Sequence, residues 1–109
     1  MDGDGRVIGT GQIKPHGDGT REMASIAVEP ERQGQGIGKA IIERLLAENA
    51  LPLYLTCRAR MEPYYVRFGF RALQAAEMPP YFRRIYRIAS FFNRIWPGIG
   101  NMRVMRKTA

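Results

Sequence analysis

Two stretches near the start of the chain read as strands. Arg6–Ile13 (RVIGTGQI) is a short strand containing two glycines, and Thr20–Val28 (TREMASIAV) is a second. The residues between them, KPHGDG, are dense in turn formers, so the pair predicts an antiparallel hairpin. Pro30 closes the second strand, because proline cannot donate to a ladder. From Ile37 the period changes. Ile37, Ile41, Ile42, Leu45 and Leu46 recur at helical spacing, and Asn49 and Pro52 stop the helix they predict. Leu53–Cys57 (LYLTC) carries apolar residues on both faces, as a buried strand does. A short helix is predicted from about Glu62 to Phe68, with Pro63 suited to its first turn and Gly69 to its C-terminal cap. Phe70–Leu73 and Met102–Lys107 read as further strands. Between them Phe82, Ile85, Ala89, Phe92 and Ile95 recur at helical spacing, with Arg83, Arg84, Arg87 and Arg94 among the other positions. This order predicts a mixed α/β sheet with helices against it. No repeat or boundary divides it, so one domain is expected over residues 1–109.

Composition narrows the class. The chain has 109 residues, nearly half of them apolar, and no low-complexity segment, which points to a folded globular domain. Its longest apolar stretches fall short of the roughly 20 residues of a membrane span. The N-terminal MDGDGRVIG is acidic and glycine-rich, unlike a signal peptide. A single cysteine, Cys57, excludes an internal disulfide and makes no zinc site alone, so a cytoplasmic protein with no metal site is expected. Cys57 itself reads as core, His16 as an exposed turn residue, and Trp96 as packing.

The net charge of +7 favours an anionic partner: nucleic acid, a membrane surface or a phosphorylated small molecule. From Arg83 onward there are seven Arg or Lys and no acid.

Gly34, Gly36 and Gly38 stand at alternate positions directly before the first helix. The spacing G-x-G-x-G fails the dinucleotide fingerprint G-x-G-x-x-G, and Ala40 after Gly38-Lys39 fails the P-loop. Gln33–Gly38 (QGQGIG) fits instead the pattern [QR]-x-x-G-x-[GA]. Unpaired N–H groups at a helix start carry the positive end of its dipole, and bare backbone there lets a pyrophosphate approach. The same glycines also suit a tight strand-to-helix turn with no ligand.

MASIAVEPERQGQGIGKAIIERLL, the Y-x-x-x-G-F signature over Tyr65–Phe70 in PYYVRFGFRAL, and the closing RVMRK together resemble the GCN5-related N-acetyltransferase (GNAT) superfamily. The likeness runs in the family's order over most of residues 5–75. It implies a mixed, mostly antiparallel sheet flanked by helices, and an acyltransferase that moves an acetyl group from acetyl-CoA directly to a primary amine. The backbone of Ile26, Ala27 and Val28 is then expected to hold the pantetheine arm. Gln33, Gly34, Gly36, Gly38 and Lys39 are expected to hold the pyrophosphate, with Arg32 and Lys39 adding charge.

Tyr65 takes the place of the general acid that protonates the departing thiolate, with Tyr64 beside it. Glu22, six residues before Val28, is the expected general base, with Glu62 and Glu77 as weaker candidates. Strand alternation predicts that Glu22, Ala24, Ile26 and Val28 share one face. Arg58 departs from the family, many members of which carry asparagine there.

The family's usual first strand, two helices and next strand are expected to be missing, which makes the sheet N-terminally truncated. This leaves strand 6–13 as an open edge and predicts a fragment or a homodimer. The basic segment after Tyr81 is expected to be a lid over the acceptor, a dimer contact, a membrane-surface helix or a cover for the core. Neither nucleic acid nor a membrane is the expected partner. The alternative to catalysis is a CoA-binding module acting through interaction or dimerisation.

Overall fold

A computed structural model of the chain describes residues 9–28, 33–96 and 101–109. In chain order its elements are β1 (Gly9–Pro15), β2 (Arg21–Val28), α1 (Ile37–Glu48), β3 (Leu53–Arg58), α2 (Glu62–Val66), β4 (Arg71–Ala72), α3 (Pro80–Ile95) and β5 (Met102–Lys107). Single 3₁₀ turns precede α2, at Ala59–Met61, and α3, at Ala75–Glu77. The described strands form one sheet in the order β1-β2-β3-β5-β4. Only β2 and β3 run parallel, so the sheet is mixed and mostly antiparallel, as expected.

Alternation along β3 and β5 sorts the core into two layers. Leu53, Leu55 and Met105 point to one face, where Met23, Ile42 of α1 and Phe70 enclose them and Tyr64, Tyr65 and Phe68 pack around the margin. Tyr54 and Val104 point to the other face, against Leu73, Met78 and Phe82 of α3. The Phe82 ring is fully enclosed and stacks on Tyr54 at 5.1 Å between centroids. Burial of this kind stabilises by about 2–3 kcal/mol per side chain. On β1 the two glycines admit α1. A Cβ at Gly11 would sit 2.6 Å from Ile26 Cδ1 and 2.7 Å from Ile41 Cγ2, inside van der Waals contact.

The β1–β2 register contains a bulge. Thr10 pairs with Ala27 but Gln12 pairs with Ala24, so two steps on β1 face three on β2. The extra residue reverses the alternation of β2. Ile26 therefore packs with Met23 and Ile42 on the α1 face, whereas Glu22 faces His16 and Thr56 on the α3 face. The expectation that Glu22 and Ile26 share a face is corrected by this inserted residue.

Other boundaries shift little. The first predicted strand runs on to Pro15, while its start, Pro30 and Arg32 lie outside the described residues. The predicted 62–68 helix ends at Val66 and continues as a turn. Trp96 does not pack. Burial is complete at Phe82 and falls away until Trp96 is 63% exposed, because the second half of α3 runs beyond the layer it covers.

Candidate functional site

The strand-to-helix loop presents open backbone. Gly34 and Gly36 have φ of +83° and +79°, the left-handed region where a side chain is strained. Gly36 is the N-cap of α1, no side chain caps the helix, and its first turn holds no acid. The first helical hydrogen bond from this end runs from Ala40 N–H to the Gly36 carbonyl at 3.0 Å. The N–H groups of Ile37, Gly38 and Lys39 precede that bond and have no acceptor within the helix. A Cβ at Gly34 or Gly36 would meet no described residue within 4 Å, so among these residues the space in front of the loop is open. That space is a cleft of about 460 Å³ lined by Gln33, Gly34, Gly36, Ile37, Gly38 and Lys39, with Met61 and Tyr64 across from them. All five residues expected to hold the pyrophosphate line it. Lys39 lies 3.8 Å from Glu43 in a pair exposed on both sides.

The gap beside β2 has a topological origin. Among the described residues, β2 and β3 pair only at Glu22 with Tyr54. No other β2–β3 pair joins the described residues, so the bulged Ile26–Val28 segment has no β3 pairing partner among them. Antiparallel pairing to β1 leaves such a strand half its backbone groups for another chain-like ligand.

Tyr65 follows from the turn after β3. It sits on α2, half-buried on the Cys57 side of the sheet, with its ring edge-on to Tyr64 at 5.2 Å and to Phe70 at 6.3 Å. Gly69, with φ of +93°, turns the chain so that the Phe68 and Phe70 N–H groups both donate to the Tyr65 carbonyl, at 3.0 and 3.4 Å. The glycine and phenylalanine of the Y-x-x-x-G-F pattern thus hold this tyrosine in place. Burial pushes the Tyr65 phenol above its ordinary range, with Cys57 and Tyr64 adding to the effect. Its hydroxyl has no hydrogen-bond partner among the described residues. Burial likewise raises the Cys57 thiol, which touches Met105 Sδ at 3.8 Å as a core residue does.

Glu22 is 9% exposed, a buried carboxylate rather than a surface one. One oxygen lies 2.8 Å from His16 Nε2, and the other accepts from the Thr56 hydroxyl at 3.5 Å. His16 is not the exposed turn residue the sequence suggests. Its ring stacks on Tyr81 at 3.6 Å and meets the edge of Phe82 at 5.6 Å, so the start of α3 covers it. Asp18 ties the same corner by accepting the Tyr81 N–H at 3.0 Å and the Thr20 hydroxyl at 2.6 Å, and chiefly the Thr20 bond holds its carboxyl below the ordinary range. Sequence reasoning missed His16. The hairpin pairing of Lys14 with Glu22 was the available signal that it lies near the glutamate.

The structure does not bring Glu22 and Tyr65 together. They flank β3 on opposite faces, Glu22 beside Thr56 and Tyr65 on the Cys57 side. The weaker base candidates are engaged elsewhere. Glu62 pairs with Arg103 at 3.1 Å, and Glu77 pairs with Arg71 at 2.9 Å. The Arg71 hydrogen bond pulls the Glu77 carboxyl down to about 2, which makes it a poor proton acceptor. Arg58 lies with Arg60 and Asn101 around a separate polar hollow of about 210 Å³.

A family model described as an acetyltransferase (GNAT) domain matches residues 1–72. Among solved structures, N-acetylglutamate synthase from Neisseria gonorrhoeae, complexed with coenzyme A and N-acetyl-glutamate, aligns with a TM-score of 0.75 at 19% identity. The alignment covers 96% of this chain but only 24% of the synthase, so the chain spans about a quarter of that protein. Rv2747 from Mycobacterium tuberculosis, in complex with CoA, aligns with a TM-score of 0.69 at 23% identity over 99% of this chain and 71% of that one. A GNAT-family acetyltransferase from Staphylococcus aureus aligns with a TM-score of 0.66 at 15% identity, over 99% and 63% of the two chains. At these identities the likeness is one of fold.

Proposed function

The chain belongs to the GNAT acetyltransferase family, and on that premise we propose that it transfers an acetyl group from acetyl-CoA to a primary amine by direct attack. The observation that carries this reading is the start of α1, uncapped and acid-free, with open space in front of Gly34 and Gly36. The free N–H groups there, with Gln33, Gly34, Gly36, Gly38 and Lys39 along the cleft, bind and orient a pyrophosphate through hydrogen bonds and the helix dipole. The Ile26, Ala27 and Val28 backbone, unpaired toward β3, offers a strand-like partner to the pantetheine amides. Acetyl-CoA bound in this cleft supplies an activated thioester carbonyl.

Tyr65 holds the proton for the departing thiolate. A phenol raised by burial stays protonated at neutral pH and so holds a proton ready for the thiolate. Because it is a weaker acid than a thiol, the transfer runs against the pKa difference and is carried by C–S cleavage, after which the phenolate regains a proton from solvent. Glu22 receives the proton of the attacking ammonium, and His16 and Thr56 fix its two oxygens. The enzyme is read as cytoplasmic, and the position of β1 at the edge of the sheet among the described residues supports a homodimer.

A second reading, a CoA-binding module without catalysis, is favoured by one feature. Glu22 and Tyr65 lie on opposite faces, and the Glu22 oxygens already have partners.

Calorimetric titration with acetyl-CoA, with dephospho-CoA and NADH as controls, followed by thiol release in the presence of primary amines, separates these readings. Saturable binding with amine-dependent thiol release supports the transferase. Binding without release from any amine supports the module. Absence of binding overturns the assignment of the loop.

A further inference from the structure

The second half of α3 has an apolar face that no other described residue covers. Ile88, Phe91, Phe92 and Ile95 form one helical stripe, 53%, 55%, 46% and 53% exposed, and Trp96 continues it. The sheet-facing side of the helix is already occupied by Phe82 and Tyr86, so this stripe is surplus to the core. Three arginines accompany it. Arg84 stands one turn before Ile88, and Arg87 and Arg94 run along one border beside Phe91. Arg83 is tied to the carbonyls of Ala75 and Ala76, but Arg84, Arg87 and Arg94 have no hydrogen bond or ion pair among the described residues. The chain carries no acid after Glu77.

A wide apolar stripe bordered by unpaired arginines, with an aromatic terminus and no carboxylate, matches the chemistry of a helix lying in a lipid interface. A two-fold contact between copies would bring arginine borders together with no acid on the helix to meet them. A nucleic acid would leave Ile88 and Ile95 without an apolar partner. No helix among the described residues is long and apolar enough to cross a membrane, so the geometry is that of lying on a surface.

We propose that this face docks on an anionic lipid bilayer. Ile88, Phe91, Phe92, Ile95 and Trp96 enter the interfacial layer, and Arg84, Arg87 and Arg94 meet headgroup phosphates. No residue of the candidate acyl-transfer site takes part, so the proposal stands apart from catalysis.

Trp96 is the chain's single tryptophan and reports directly on the contact. Its emission is expected to shift to the blue on adding vesicles of phosphatidylglycerol and phosphatidylcholine, to stay unchanged with phosphatidylcholine alone, and to return as salt is raised. The double variant Phe91→Ser, Ile95→Ser lowers partitioning at least about tenfold. Arg87→Gln and Arg94→Gln each lower it about fivefold. These side chains are exposed, so circular dichroism should show the variants folded. Absence of a shift with anionic vesicles overturns the proposal, as does an equal shift with neutral ones or wild-type partitioning by the variants. A lipid-free dimer that Phe91→Ser dissociates also overturns it, since the occupant is then a second copy.

Discussion

His16 Nε2 lies 2.8 Å from a Glu22 carboxylate oxygen in a corner closed by Tyr81. The carboxylate accepts and the imidazole donates, which satisfies a group that would otherwise be buried with only the 3.5 Å Thr56 contact. His16→Ala should therefore destabilise the fold by about 1–3 kcal/mol, read from the urea midpoint. His16→Gln keeps a donor and should recover part of the loss. Variants as stable as wild type would show that water replaces the imidazole without cost.

Gly36→Ala separates the two readings of the glycine loop. At a φ of +79° alanine is strained by about 1–2 kcal/mol, so stability should fall by that amount. The new methyl also points into the open space over the helix start, where it would crowd a phosphate. Acetyl-CoA affinity should fall at least about tenfold by calorimetry, beyond what strain alone produces. An unchanged affinity would reduce the glycine to a turn former.

Tyr65→Phe keeps the ring that packs with Tyr64 and Phe70 and removes only the hydroxyl. Turnover should drop by about 10²–10⁴-fold while the acetyl-CoA Kd stays within about twofold. Because burial raises the phenol above its ordinary range, the proton-donor form should persist further into alkaline pH than in an exposed tyrosine, seen by ultraviolet titration of the tyrosines. Full turnover in the phenylalanine variant would remove Tyr65 from the acid role.

The Arg71–Glu77 pair makes stability depend on acid pH. A free glutamate titrates near 4.5, whereas Glu77 is held at about 2 in the fold. Below pH 4.5 the unfolded chain takes up a proton there that the folded chain refuses until about pH 2, so stability falls as pH drops through that window. Melting temperatures should show this loss in wild type and a shallower one in Glu77→Gln. Both side chains reach solvent, so added salt should shrink the difference. Parallel acid limbs would mean that the pair contributes nothing.

Much of the fold was legible because its signals are local. The spacing of Ile37, Ile41, Ile42 and Leu45 marks α1, and the structure ends that helix at Glu48, directly before the stop signals Asn49 and Pro52. Gly34, Gly36 and Gly69 occupy left-handed positions that a sequence reader can anticipate, since few other residues adopt them. The last strand appeared with its predicted limits because MRVMRK presents Val104 and Met105 to opposite layers.

The rest depended on partners distant in the chain. Glu22 and Ile26 lie on opposite faces against simple alternation because a bulge is a mismatch of register between two strands, and β2 alone gives no sign of the inserted residue. The turn composition around His16 suggests exposure because its cover, Tyr81, arrives only when α3 packs across the hairpin. A tryptophan beside a proline suggests packing, but the sequence does not say how far the layer beneath α3 extends, and Trp96 lies beyond it. The sequence by itself determined which segments are helix and strand, and where bare backbone opens the start of α1. Periodicity and backbone conformation are properties of neighbouring residues. The tertiary structure alone decided which carboxylate is buried, which imidazole meets it and which apolar face stays uncovered, because burial and pairing depend on groups the chain brings together only by folding.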